Sequence, residues 1–374
     1  MVRLSDIMKT KSAMQPPAPS VPLTQPPVDE PPQKSSGLPH PRMSGGESQA
    51  LYDELLSSIQ RLLDDASQEQ ALTLGVIPGL TERLIGRALH DDLELFRLSL
   101  AGDGFSLARH GLNVAILAVQ VGIEYDLKGP HLFDLALASI LHDIGMVKVS
   151  HLIHVPGHLG PAQLAQVHAH PLIGHQLLQR CADVQPVVRE IVLQEHERDD
   201  GSGYPHHLRG DRVMDHAQLV GLVDCYEALI HDRPYRNRLV PSEAIRTIVQ
   251  DHRTGFRKEL LRAFLKAIPI YPVGSVVELM SGERARVIAT SRSEPLCPVV
   301  TILTDPHGQV RAYPETIDLS KDKRFSIARA VPEPVFTPPH GSPACQGGEE
   351  RRIVPKGVSQ RPWPSGRGAG FTTS

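Results

Sequence analysis

The stretch that decides the fold is Leu132-Phe133-Asp134-Leu135-Ala136-Leu137-Ala138-Ser139-Ile140-Leu141-His142-Asp143-Ile144-Gly145. Leu132 to Leu141 is nearly all apolar, which predicts a helix buried on most of its sides. The run ends on a histidine and an aspartate. Polar groups placed there need partners, because an unpaired buried carboxylate is very costly. Alone, the pair also reads as a hydrogen-bonded core pair, since buried polar groups are normally satisfied.

The neighbouring segments repeat the pattern. His110 lies on the preceding predicted helix, where Leu112, Ala115, Ile116 and Val119 share a face. His170 stands in His168-Ala169-His170-Pro171. Val187, Val188, Ile191 and Val192 lead into Glu195-His196-Glu197, and Asp224 interrupts Leu222-Val223-Asp224-Cys225-Tyr226. One shared internal site accounts for all these interruptions together. The chain has 19 histidines, and 10 of them fall between His142 and His207; imidazole is the commonest protein metal ligand. A set of His and carboxylate without Cys suits divalent iron or manganese. If two ions bind, Asp143 is the natural bridge, because a carboxylate has two oxygens and an imidazole one free lone pair. Two ions about 3.5–4 Å apart can lower the pKa of water and stabilise a phosphoryl transition state.

The fold class read from the sequence is mainly α, an all-α helical bundle followed by a small antiparallel β-domain, with disordered Pro-rich tails. Of the 33 prolines, 10 lie in residues 1–50 and 8 in residues 331–374. Ser, Gly and Gln accompany them, so both ends read as disordered; Trp363 sits in the second. Residues 51–99 carry Leu55, Ile59, Leu62 and Leu63, then Leu84, Ile85 and Leu89, at helical spacing. They form an N-terminal helical region expected to cap the core or mediate a homodimer. Residues 100–270 are a succession of helices with no Rossmann or P-loop glycine fingerprint. At Tyr271-Pro272-Val273-Gly274 the texture changes, and 275–279, 285–289 and 298–303 read as short strands of a β-domain over 271–330.

At 374 residues the chain suggests two or three domains. A net charge of -3 gives no global case for binding a nucleic-acid polymer. The four cysteines form no CxxC pair, which argues against a disulfide scaffold or zinc finger and fits a reducing cytoplasm. The apolar run Leu112 to Ile123 is too short to span a bilayer, and residues 1–11 lack a signal-peptide apolar core. The expected location is cytoplasmic, without membrane insertion.

His142-Asp143 resembles the HD signature of metal-dependent phosphohydrolases, and Gly203-Tyr204-Pro205 resembles the mark of the HD-GYP subfamily. Asp224-Cys225-Tyr226-Glu227-Ala228-Leu229 and Asp232-Arg233-Pro234-Tyr235-Arg236 resemble two further blocks of that subfamily, in the right order. The resemblance covers roughly 100–270 and extends to the β-domain as an appendage found beside some members. It implies an HD-type bundle and a bacterial phosphodiesterase that hydrolyses cyclic di-GMP to pGpG and/or GMP. The metal ligands it implies are His110, His142, Asp143, His170, Glu195, His196 and Asp224, with Asp143 bridging and His142-Asp143 at the catalytic centre. Arg233 and Arg236 would hold phosphate as bidentate forks. Gly203 would let the loop approach a ligand, and Tyr204 would stack on guanine or fix the loop. Contacts with diguanylate cyclases are implied through the GYP surface. Three positions depart from the pattern. Glu195 stands where the family usually has His, and Met146 where it usually has Lys. Ser106 stands where three-metal members have an acid, which favours two metals. The first two departures keep alive a second reading, a weak or inactive cyclic di-GMP receptor or scaffold.

Overall fold

The computed structural model describes residues 45–331 apart from 91, 102–104, 154–158, 233–236, 252–254 and 292. Residues 1–44 and 332–374, expected to be disordered, lie outside them. From the N-terminus run α1 (Gly45–Ser67), α2 (Ile77–Leu89), α3 (Leu93–Leu100), α4 (Leu107–Glu124) and α5 (Pro130–Leu141). A 3-10 turn (Ile144–Lys148) leads to α6 (Ser150–Ile153), α7 (Pro161–His168), α8 (His170–Gln179) and α9 (Pro186–Gln194). Then come α10 (Asp215–Ile230), α11 (Pro241–Asp251) and α12 (Lys258–Ala267). The first helix starts at Gly45, so it takes in residues 45–50, which composition assigns to the tail.

The proline positions set several of these starts. Pro78, Pro130, Pro161, Pro171 and Pro186 each sit in a helix's first turn, where the missing N–H has no intrahelical partner to lose. The centre of the bundle is α4, whose Leu112, Val114, Ala115, Leu117, Ala118, Val119 and Val121 are fully buried. It packs against α1, α3, α5, α10 and α12. Hence α4 is apolar nearly all round rather than striped. The apolar segment that opens the sequence reading is α5, buried from Leu135 to Leu141 and packed on α4.

Five antiparallel strands follow: β1 (Val276–Leu279), β2 (Arg284–Ala289), β3 (Val299–Ile302), β4 (Thr316–Asp318) and β5 (Ile327–Val331). Their order is β4-β3-β2-β1-β5. Val277 sits opposite Ala285 on β2 and Ala330 on β5. Val277, Leu279, Ala285, Val287, Val300 and Ile302 form a small core of their own, and Tyr271 packs against both this core and the helical one. The three strands expected from the sequence are β1, β2 and β3; β4 and β5 are additional.

Asp92 ties the N-terminal helices together. One carboxylate oxygen accepts from Glu94 N at 3.0 Å and Leu95 N at 3.2 Å, capping α3. The other accepts from Ser48 Oγ of α1 at 2.6 Å and Arg87 Nη1 of α2 at 3.2 Å. Burial works to raise this carboxyl, but the Ser48 hydroxyl, the two backbone N–H groups and Arg87 outweigh it and hold the pKa below the usual carboxylate value. A lowered pKa contributes stability at neutral pH that is lost as pH falls through it. Asp92→Ala should therefore lower stability by about 1–2 kcal/mol at pH 7. In thermal denaturation the gap from the parent should begin to narrow as pH falls below roughly 4, where the unfolded carboxyl protonates, and should keep narrowing until the folded carboxyl protonates at its lower value.

Candidate metal centre

Five segments converge inside the bundle. The first turn of α4 supplies His110, the end of α5 supplies His142 and Asp143, the start of α8 supplies His170, the end of α9 supplies Glu195 and His196, and the middle of α10 supplies Asp224. They fall into two groups. His110, His142 and Asp224 each offer one ligand atom, all within 4.8 Å of one another, and His170, Glu195 and His196 do the same. Asp143 lies between. Its Oδ2 is 3.5 Å from His110 Nε2 and 3.7 Å from His142 Nε2, while its Oδ1 is 3.3 Å from His170 Nε2. The seven ligand positions implied by the resemblance thus lie in one place.

The imidazoles are aimed. His142 Nδ1 lies 2.8 Å from Ser139 O and His170 Nδ1 lies 2.7 Å from Val167 O. A carbonyl only accepts, so in both rings Nδ1 donates and Nε2 is the nitrogen directed inward. His110 Nδ1 lies 2.6 Å from Glu227 Oε2, and its Nε2 faces Asp224 Oδ1 at 3.0 Å. Metal-binding histidines are usually held in this way, through the nitrogen that does not bind. His142 Nε2 and Glu195 Oε2 are buried without a hydrogen-bond partner. Such atoms are expensive in a dry core, and a divalent cation would satisfy both. Nitrogen and carboxylate donors at these separations fit one.

The electrostatics agree in sign. Burial alone would raise the Asp143 carboxyl, but the imidazoles of His142, His170 and His110 lower it. Asp224 is likewise lowered, chiefly by His110 against its own burial. Burial drives His196 down to about 4, leaving it neutral with a free lone pair. Burial also lowers His170, but Glu195 and Asp143 bring it up to about 9. The pocket draws a positive charge to itself, here as the proton on His170.

The loop after α9 closes one side. The Glu197 carboxylate is fully buried and accepts from His206 N at 2.6 Å and Leu208 N at 2.9 Å, which folds the loop back on the site. A Cβ at position 203 would lie 2.3 Å from His196 O, so Gly203 admits the backbone of His196–Arg198 rather than a ligand. Tyr204 N donates to the same carbonyl at 3.1 Å. The Tyr204 ring stacks on His168 at 4.0 Å and on His196 at 4.7 Å. With two imidazoles stacked on it, the ring does not offer guanine the stack that the resemblance implies; it fixes the loop against His196. Arg233 and Arg236 lie outside the described residues. Lys148, close in sequence to the Lys-less position Met146, is engaged with Glu69 Oε1 at 3.0 Å near the end of α1.

Sequence reading missed several supporting residues. Glu227 holds His110, and its spacing of three from Asp224 was a readable signal. Two glycines set the approach of the segments. A Cβ at position 145 would lie 2.0 Å from His170 O, and one at position 221 would lie 2.1 Å from Glu195 O. A glycine amid apolar helix residues was the clue.

Residues 91–258 match the HD domain family, and residues 276–335 match the KOW domain associated with the HD domain. The first match falls on the helices that hold the centre, and the second on the strands that follow them. Among curated relatives, "Cyclic di-GMP phosphodiesterase PA4108" of Pseudomonas aeruginosa is 29% identical over 71% of this chain and 64% of its own length. "Cyclic di-GMP phosphodiesterase PdeB" of Borreliella burgdorferi is 26% identical over 52% of this chain and 51% of its own. The chain thus spans between about half and just under two thirds of these relatives. A solved structure, Bd1817, an HDG"Y"P protein from Bdellovibrio bacteriovorus, superposes with a TM-score of 0.48 at 17% identity, over 62% of this chain and 73% of its own. No helix among the described residues is long and apolar enough to cross a membrane.

Alanine at the two tight glycines should show in urea unfolding. Gly145→Ala and Gly221→Ala each overpack backbone against backbone and should cost about 1–3 kcal/mol or more. Gly86→Ala, in α2 with nothing within 4 Å of the added Cβ, should instead raise stability by up to about 1 kcal/mol.

Proposed function

We propose that the chain is a metal-dependent phosphodiesterase that hydrolyses cyclic di-GMP to pGpG and/or GMP. The observation that carries this reading is the position of Asp143, with one carboxylate oxygen turned toward each of two three-residue groups. His110, His142 and Asp224 would hold one divalent ion and His170, Glu195 and His196 a second, with Asp143 shared. Nitrogen and oxygen donors without thiolate favour iron or manganese. Ions held there would supply positive charge to phosphate oxygens and a lowered pKa to water. The substrate class is supported by the names of the relatives, which are cyclic di-GMP phosphodiesterases at 26–29% identity.

The chain's own residues do the positioning. His110, His142, His170 and Glu195 are at most 3% exposed in their side chains, whereas Asp143, Asp224 and His196 are 15–17% exposed. A phosphodiester therefore meets the centre at the edge formed by these three. Buried partners hold the other four in place, so little reorganisation is left for the reaction itself.

One observation favours the second reading, a receptor or scaffold with weak turnover. Position 146 carries no cation, and Lys148 is drawn away to Glu69. The phosphate then lacks a charge that related sites are expected to supply.

Asp143→Ala should abolish both metal retention, measured by elemental analysis, and hydrolysis of cyclic di-GMP with added Mn(II) or Fe(II). Normal turnover by that variant would overturn the assignment. Met146→Lys should raise turnover if the missing charge limits it. The substrate panel should include 3′3′-cGAMP, because a relative from Vibrio cholerae named as specific for it is 28% identical over 44% of this chain.

A further inference from the structure

We infer that Tyr52, on the N-terminal helix α1 and outside the residues matched by the HD family, is a positioning residue of the metal centre. This rests on the metal reading above. Four buried side chains form one line. Tyr52 Oη donates to Asn113 Oδ1 at 2.9 Å, and Asn113 Nδ2 donates to Glu227 Oε1 at 3.1 Å. Glu227 Oε2 accepts from His110 Nδ1 at 2.6 Å, and His110 Nε2 faces Asp224 and Asp143.

Each link dictates the next. Glu227, taking the Nδ1 proton of His110, has only acceptor atoms to offer. Asn113 must therefore turn its amide nitrogen toward it. That leaves the Asn113 oxygen pointing at α1, where only a donor will satisfy it. The Tyr52 hydroxyl is that donor, and burial pushes its pKa up to about 12, so it keeps its proton throughout the neutral range. Relative exposures are 6% for Tyr52, 0% for Asn113, 2% for Glu227 and 3% for His110, so bulk water has no access with which to replace a lost link. Without the hydroxyl, the Asn113 oxygen is a buried acceptor with no donor. The amide is then anchored on one side only, and the carboxylate that fixes the His110 tautomer has a less firmly held brace. The N-terminal helix thus acts on one of the two ligand groups, the one that contains His110, and has no comparable line to the other among the described residues.

The test is a Co(II) titration of the full metal-free chain, followed by visible absorption with chelator competition. The parent should take up two ions in separable steps. Tyr52→Phe keeps the ring and removes only the hydroxyl; it should weaken one step about 10-fold, the scale of losing an outer hydrogen-bond partner, and leave the other unchanged. Asn113→Asp sets an acceptor against Glu227 in the same shape and should weaken the same step, which keeps the proposal testable if either variant folds poorly. Tyr125→Phe removes a hydroxyl that donates to Asp215 at 2.7 Å away from this line, and should leave both steps unchanged. Equal affinities in parent and both relay variants, or an equal loss in both steps, would overturn the role of Tyr52. A parent chain that takes up fewer than two Co(II) ions would overturn the two-metal reading instead, and would do so before any substitution is made.

Discussion

The structure depends on gathering seven ionisable side chains, four of them buried, at one point where five helical segments meet. Alone, each would cost several kcal/mol in a dry core or would lose its charge. Placed together, the carboxylates and imidazoles compensate in part, which is why Asp143 and Asp224 stay ionised despite burial. The compensation is incomplete, because His142 Nε2 and Glu195 Oε2 have nothing to bond to. A core built in this way is unfavourable as pure structure. It makes sense when a cation completes it.

Bringing these groups together requires backbones closer than side chains normally allow. Position 145 must pass under the His170 carbonyl, and position 221 must pass under that of Glu195. Glycine at both lets α8 and α10 close on the turn after α5 and on the end of α9. Two of the imidazoles are then locked by carbonyls of their own or the preceding helix turn, Ser139 for His142 and Val167 for His170. The chemistry at the centre is thus set by local backbone geometry, not by long flexible side chains. His110 differs from these two: its partner Glu227 comes from α10, and this is why it needs a longer line of support.

Much of this was legible in the sequence, for a physical reason. An apolar helix tolerates a charged residue only when something in the core receives it, so His110, His142, Asp143 and Asp224 stand out against Leu, Ile and Val. The strands β1, β2 and β3 were legible through their Val and Ile content. By contrast β4 has three residues, Thr316–Asp318, and β5 reads Ile-Ala-Arg-Ala-Val with little burial, so neither carries an apolar run. Their pairing comes from neighbouring strands, not from their own propensity. Tyr52 was unreadable as part of the site, because its partner Asn113 is 61 residues away and both look like ordinary members of amphipathic helices. The stacking of Tyr204 on two imidazoles was equally hidden, since it depends on α7 ending beside a loop 36 residues later.

The replacement of an expected histidine by Glu195 changes the centre in a definite direction. An imidazole offers one lone pair and no charge, whereas a carboxylate offers two oxygens and a full negative charge. Glu195 is fully buried, with Oε1 at 3.2 Å from His170 and Oε2 unpaired at 4.0 Å from His142 Nε2. It therefore reaches from its own group toward the other, as Asp143 does. Added negative charge in low dielectric strengthens the hold on any divalent cation and favours harder ions that prefer oxygen. If the site binds a phosphodiester as proposed, the same charge would weaken what the phosphodiester feels from that cation, and the lack of a cation at position 146 would work in the same direction. Under the proposed reading, tight retention of metal combined with a reduced pull on phosphate is the balance that these two departures would impose on the site.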